Sequence, residues 1–217
     1  MVKHHPDTRF LTDYAAGSLP EAQALCVASH LHYCAACRVT TRELTMLGSE
    51  MFLQLAPVEG GDAGFERLLA RVDSLPATTA SSDAEADAQD IQQSTLPKAL
   101  HKITRGNPDN LQWRRLGRNF RYSNLPIDPD RVTNLLHIKA GCSLPHHRHN
   151  GDEITVVIKG SFSDHDDKYN VGDFIVRTSG EQHRPVASQD EDCLCLSTLD
   201  SPIVMTNWFY RILQSIL

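Results

Sequence analysis

The 217-residue sequence contains no run of 18 apolar residues, so a membrane-spanning helix is not expected. Its first ten residues, Met1 to Phe10, are polar and lack the apolar run of a secretory signal. The expectation is therefore a cytoplasmic protein with no membrane partner. In that compartment the six cysteines read as metal ligands or redox thiols rather than as a disulfide framework. A basic excess is missing as well. The net charge is −6, whereas affinity for nucleic acid rests on Lys and Arg neutralising phosphates. Residues 1–75 carry six basic and nine acidic side chains, and residues 76–95 carry four acids and no base. No segment has the charge of a DNA-facing surface, so any role in gene expression is indirect. Internal repeats are absent.

What is present divides by texture into two folding units, an α + β arrangement. Residues 1–75 read as helical: Phe10, Leu11, Tyr14 and Ala15 have helical spacing between Asp7 and Leu19. Pro20 suits the first turn of a new helix. Good helix formers then continue to about Leu55, until Pro57, Gly60 and Gly61 end the run. A last short helix, Phe65 to Leu75, carries Phe65, Leu68, Leu69, Val72 and Leu75 on one stripe. Residues 76–95, PATTASSDAEADAQDIQQST, are small, polar and acidic, the composition of a flexible linker. From Leu96 onward, short β-branched runs such as VTNLLHI (132–138), ITVVIKG (154–160) and DFIVRT (173–178) alternate with turn residues. That is the pattern of an antiparallel barrel or sandwich. The closing segment, Trp208 to Leu217, is open to strand or helix.

Two clusters carry chemistry. Cys34 and Cys37 form a CxxC, and His30 lies one helical turn before Cys34, on the same face. A tetrahedral structural zinc needs a fourth ligand. His4, His5 and His32 are nearby, and Cys26 is a thiol alternative. His5, on a separate segment, would pin the N-terminus to the long helix and staple a small core. A dithiol redox pair is the competing reading of the CxxC, but the βαβ context of a thioredoxin is absent. The spacing from His5 through His30-x3-Cys34-x2-Cys37 resembles the zinc-binding anti-sigma domain over residues 4–75. The resemblance implies a four-helix domain with His5, His30, Cys34 and Cys37 on zinc. It further implies a domain that binds an extracytoplasmic-function sigma factor and hides the surfaces used on RNA polymerase. On that reading Phe65, Leu68, Leu69 and Val72 are partner contacts; the alternative is that the stripe packs on its own domain.

The second cluster lies in GCSLPHHRHNGDEITVVIKG, residues 141–160. His147 and His149 are two apart and share one face of a strand; Glu153 follows, and His183 stands on a later segment. The spacing Gly141, His147-x-His149, Glu153, Gly160 is similar to the first cupin motif at every defined position. Gly172, Gly180 and His183 are similar to the second, with Thr178 where Pro is usual and Ala187 where Asn is usual. Both departures touch turn geometry rather than a ligand. The resemblance implies a small β-barrel over residues 96–217, with His147, His149, Glu153 and His183 around a metal. Such a ligand set suits zinc, iron, manganese or nickel, and zinc is preferred because the first site already suggests a zinc protein. Cys193 and Cys195 share a strand face, as redox-active or as buried structural thiols, and Cys142 is open to either reading.

In their order, the two resemblances are similar to ChrR-type anti-sigma factors. What that implies is a non-enzymatic regulator with two zinc ions per chain. It would pair 1:1 with a sigma factor through residues 1–75 and release it through the cupin domain in response to singlet oxygen or related oxidants. Two other functions compete: a metal-dependent cupin oxygenase, and a thiol switch in which Cys34 and Cys37 oxidise and eject zinc.

Overall fold

The structure, a computed structural model, describes residues 2–56, 62–75, 96–202 and 204–205. The acidic segment 76–95 and the closing segment 206–217 lie outside the described residues, as do Pro57, Gly60 and Gly61. The two-part α + β organisation holds, with helices first and a barrel after. Among the described residues, no helix is long and apolar enough to cross a membrane.

Helix α1 (Thr8–Ala15) starts where the Asp7 side chain accepts from the Phe10 N–H at 3.0 Å, satisfying one orphan donor of the first turn. Helix α2 (Glu21–Tyr33) follows Pro20, whose fixed φ suits a helix entry. The run of helix formers to Leu55 is two helices, and their joint is the CxxC. Cys34 has extended φ/ψ, closes α2 by donating its N–H to the His30 carbonyl, and its sulfur accepts from the Cys37 N–H at the head of α3 (Ala35–Leu53). Helix α4 (Asp62–Asp73) is the short amphipathic one. Among the described residues there are five helices, one more than the expected four. A fifth, α5 (Lys98–Thr104), opens the second unit behind Pro97 and packs on α2. Its buried Leu100 and the preceding Leu96 belong to the same apolar cluster as α2.

Among the described residues the barrel has twelve short strands. A six-stranded antiparallel sheet runs in the order β1 (Arg114–Arg115), β2 (Phe120–Asn124), β3 (Val132–Ile138), β11 (Cys193–Leu199), β5 (Glu153–Lys159), β8 (Phe174–Arg177). Facing it are two three-stranded sheets. One is ordered β10 (Val186–Ala187), β6 (Ser161–Ser163), β7 (Lys168–Asn170). The other is ordered β12 (Val204–Met205), β4 (His147–Arg148), β9 (Gln182–His183). The three apolar runs singled out in the sequence are β3, β5 and β8.

The central sheet is covered on both faces. On β5, Glu153, Thr155 and Val157 alternate with Ile154, Val156 and Ile158, the period-2 rule of a strand. Val157, Cys193, Cys195 and Ile175 point into the barrel against Phe162 and Tyr169. Ile154, Val156, Ile158, Leu194, Leu196 and Phe174 point outward against Cys26 and Val27 of α2. This explains why β11 is buried along its whole length. It also makes α2 a shared element: its inner face completes the helical unit while Cys26 and Val27 cover the barrel.

The approach is closest at Gly172, in the turn between β7 and β8. Its φ is +90°, and a Cβ there would lie 2.6 Å from Tyr33 Cβ and 2.7 Å from Val2 Cγ2. Gly172→Ala is therefore expected to destabilise the chain by about 2 kcal/mol or more, read as a lower urea midpoint. An unchanged midpoint would mean that the helices do not rest on this turn.

Two candidate metal centres

The first centre forms where α2, α3 and the N-terminal segment meet. His30 lies in the last turn of α2, Cys34 is the joint, Cys37 sits in the first turn of α3, and His5 approaches from the segment before α1. One ligand atom from each lies within 4.8 Å of every other. Both sulfurs reach His5 Nδ1, Cys34 at 3.4 Å and Cys37 at 3.5 Å. His30 is wholly buried and donates Nδ1–H to the Gly172 carbonyl at 2.7 Å. That bond fixes the tautomer and turns the Nε2 lone pair toward the cysteines. Nε2 itself is buried with no hydrogen-bond partner, a costly arrangement that a metal ion would relieve. Burial holds the His30 ring below the usual imidazole range, hence neutral, the form that ligates. Burial, together with the neighbouring Cys34, pushes the Cys37 thiol up to about 12. Ligation therefore requires that proton to be displaced, as it is at thiolate sites generally. Two sulfurs and two imidazoles fit tetrahedral zinc.

The other residues weighed in the sequence go elsewhere. Cys26 is buried in the core beneath the sheet, where burial raises its thiol far above the ordinary value. His4 packs on the Tyr169 ring and faces Asp167, and His32 packs on Tyr33.

The second centre lies inside the barrel mouth. Strand register sets His147 directly opposite His183 on β4 and β9. His149, two residues on, is fastened by backbone bonds to Gly180 and Glu181. Glu153 enters from the head of β5. The Nε2 atoms of the three histidines converge: His183 is 2.9 Å from His147 and 3.1 Å from His149, and Glu153 Oε2 lies 3.3 Å from His149. All four residues are buried. The outward atoms of three of the four are held, while His149 Nδ1 is buried without a hydrogen-bond partner. His147 Nδ1–H donates to the Pro145 carbonyl, His183 Nδ1–H to the Asp164 carboxylate, and Ser197 Oγ–H to Glu153 Oε1 at 2.7 Å. Burial drives His147 down to about 4 and lowers His149. With their Nδ1–H groups engaged, His147 and His183 turn Nε2 lone pairs toward the point that His149 Nε2 and the Glu153 carboxylate also face, an arrangement that is repulsive unless a shared cation sits there, so the donor set fits a metal.

The turn carrying His183 closes without the usual proline. Glu181 N–H donates to the Thr178 carbonyl, and the Thr178 hydroxyl reaches Glu181 Oε1 at 3.1 Å. Cys193 and Cys195 point into the barrel with sulfurs 3.5 Å apart. Among the described residues every cysteine is a free thiol.

A helical unit with a two-His, two-Cys cluster, joined to a barrel with a three-His, one-Glu cluster, defines a class of two-part proteins with two candidate metal centres. Residues 102–201 match the family model described as the ChrR cupin-like domain. Over 216 residues the chain is 31% identical to the anti-sigma-E factor ChrR of Cereibacter sphaeroides, covering 98% of this chain and 97% of that protein. The crystal structure of Rhodobacter sphaeroides SigE in complex with the anti-sigma ChrR matches at a TM-score of 0.75 and 30% identity, covering 92% of this chain and 99% of the matched chain. The chain belongs to the ChrR family of anti-sigma factors.

Proposed function

We propose that this protein binds an extracytoplasmic-function sigma factor as a 1:1 heterodimer in the cytoplasm and blocks its association with RNA polymerase. The observation that carries this reading is a continuous supply of uncovered apolar side chains on α3 and α4. Met46, Leu47, Met51 and Phe52 of α3, and Phe65, Leu68 and Val72 of α4, are all more than half exposed, with Leu69 at 40%. Among the described residues, the α4 stripe is left largely uncovered, which favours a partner contact over packing on its own domain. A chain that leaves so many large apolar groups in water has a partner for them. The relative in the solved complex is itself bound to a sigma factor.

Because Leu68 is exposed, replacing it with Asp leaves the fold intact. The substitution should weaken sigma-factor binding by about 2–4 kcal/mol, roughly 30- to 1,000-fold. Titration calorimetry with the purified sigma factor measures this. Equal affinity for the parent and Leu68→Asp would remove α4 from the interface.

Zinc at both clusters, two ions per chain, is the cofactor assignment we adopt: His5, His30, Cys34 and Cys37 at the helical centre, and His147, His149, Glu153 and His183 at the barrel centre. Residues 1–75 are taken as the inhibitory domain, 76–95 as a linker and 96–217 as the cupin domain. In this reading singlet oxygen or a related oxidant acts on the barrel and the sigma factor is released. Catalysis is not part of it. The cavity beside the barrel centre, lined by Leu136, Phe162, His147, Glu153 and Cys195, is about 30 Å³. That is room for a water molecule or two, while His183 also lines an open hollow of about 340 Å³ with His146, His165, Gln182 and Arg184.

A further inference from the structure

One short stretch of the barrel, from Asp164 to Phe174, touches both centres. At its first end the fully buried Asp164 carboxylate accepts from His183 Nδ1–H at 3.1 Å and pairs with Arg177 at 2.7 Å. The backbone N–H groups of Asp166 and Asp167 donate to the same carboxylate, so the loop between β6 and β7 is folded around a group that holds a barrel ligand. At its other end the stretch holds the N-terminal segment. Asp167 pairs with Lys3 Nζ and lies 3.3 Å from His4 Nε2. Asp173 is wholly buried. Its Oδ1 accepts from the backbone N–H of Lys3 at 2.6 Å and of His4 at 3.0 Å, and its Oδ2 accepts from Asn170 N–H at 2.8 Å. Phe174 N–H donates to the His4 carbonyl at 3.0 Å. His5 is the next residue. Between these contacts the Gly172 carbonyl accepts from His30 Nδ1–H.

The division of labour is therefore uneven. The two sulfur ligands of the helical centre are placed by the α2–α3 joint, within the helical unit. Both imidazole ligands are placed by the barrel: His30 through a carbonyl, and His5 through a backbone segment tied to one carboxylate. Pro6 keeps the His5 backbone extended, and the ties of Lys3 and His4 to Asp173 and Phe174 set where that extended segment lies.

We propose that Asp173 and Asp167, with the Gly172 carbonyl, are positioning groups for the helical centre, so that the barrel sets the metal affinity of the domain it is attached to. Groups that orient a metal's histidines typically contribute 10- to 100-fold in affinity. Because Asp164 belongs to the same stretch, a rearrangement around His183 has a covalent path of three residues to Asp167 and hence to His4 and His5. Any coupling along it acts in both directions. This inference rests on the reading of His5, His30, Cys34 and Cys37 as a zinc site.

The test uses the full-length chain. Zinc affinity at the helical centre is measured by competition with a chelator, read as protection of Cys34 and Cys37 from alkylation. Cobalt(II) substitution supplies the thiolate charge-transfer band as a second readout of ligand geometry. Asp173→Asn keeps the side-chain volume but turns an N–H donor toward the Asn170 N–H. It should loosen zinc at the cysteines roughly tenfold or more and alter the cobalt spectrum, while the barrel keeps its metal. Asp167→Asn, at the surface, cannot unfold the barrel and should act in the same direction with a smaller effect. If both variants protect Cys34 and Cys37 as the parent does, with the parent's cobalt spectrum, the inference is overturned. If the parent itself holds no zinc at these cysteines, the metal reading fails instead.

Discussion

Replacing Cys34 with Ala is expected to switch the sigma factor's promoter fully on without any signal. Cys34 does three things at once: its sulfur is a ligand candidate, its N–H closes α2, and its sulfur caps α3 through Cys37 N–H. Zinc held by such ligand sets stabilises small domains by roughly 10–16 kcal/mol, more than the whole stability of most domains. Losing one ligand removes the tie between α2, α3 and the N-terminal segment. α3, which carries the exposed Met46, Leu47, Met51 and Phe52, then has no fixed direction. Reporter expression should match that of a strain lacking the protein, and elemental analysis should show one zinc fewer per chain. Repression that survives with the cysteine gone would mean that the helical unit inhibits without its metal.

The opposite phenotype is expected from His147→Ala with His149→Ala. Two of four converging ligands are lost, so the barrel should lose its metal. The helical centre shares no ligand with it, and basal repression should persist. What disappears is the response: reporter induction by singlet oxygen should fall to the uninduced level. A signal changes inhibition only if it acts differently on the bound and released states. The barrel centre and the adjacent Cys193 and Cys195 are where this model places that difference. Should the barrel variant respond normally while a Cys34–Cys37 disulfide accumulates, zinc ejection from the helical centre is the mechanism and the barrel is accessory.

Much of this was readable from the sequence, for physical reasons. His30, Cys34 and Cys37 fall within one helical turn and a tight joint, and His147, His149 and Glu153 within seven residues, so local geometry alone brings them together. The β-branched runs that became β3, β5 and β8 are continuous because the central sheet is buried on both faces. His5 and His183 needed the family resemblance, since their positions depend on chain segments far from the other ligands. What was not legible is what lies between the units. The carbonyl that orients His30 is 142 residues away, the hydroxyl on Glu153 is 44 residues away, and Gly172 reads in sequence only as a turn residue of a barrel motif. Asp164 sits in SDHDDK, an acidic surface turn by composition, yet its own side chain is fully buried against His183 and Arg177. The exposure of the apolar end of α3 has no signal in the sequence, because hydrophobicity alone does not distinguish a core face from an uncovered one.

The central claim is inhibition by capture. Its most direct measurement mixes the purified protein with the sigma factor proposed as its partner and RNA polymerase core enzyme on a promoter that sigma factor recognises. Transcription should fall in proportion to added protein and reach zero at one chain per sigma factor, with a 1:1 complex on gel filtration that excludes the core enzyme. Undiminished transcription at a several-fold excess of zinc-loaded protein, with the sigma factor still eluting on the polymerase, would contradict the account.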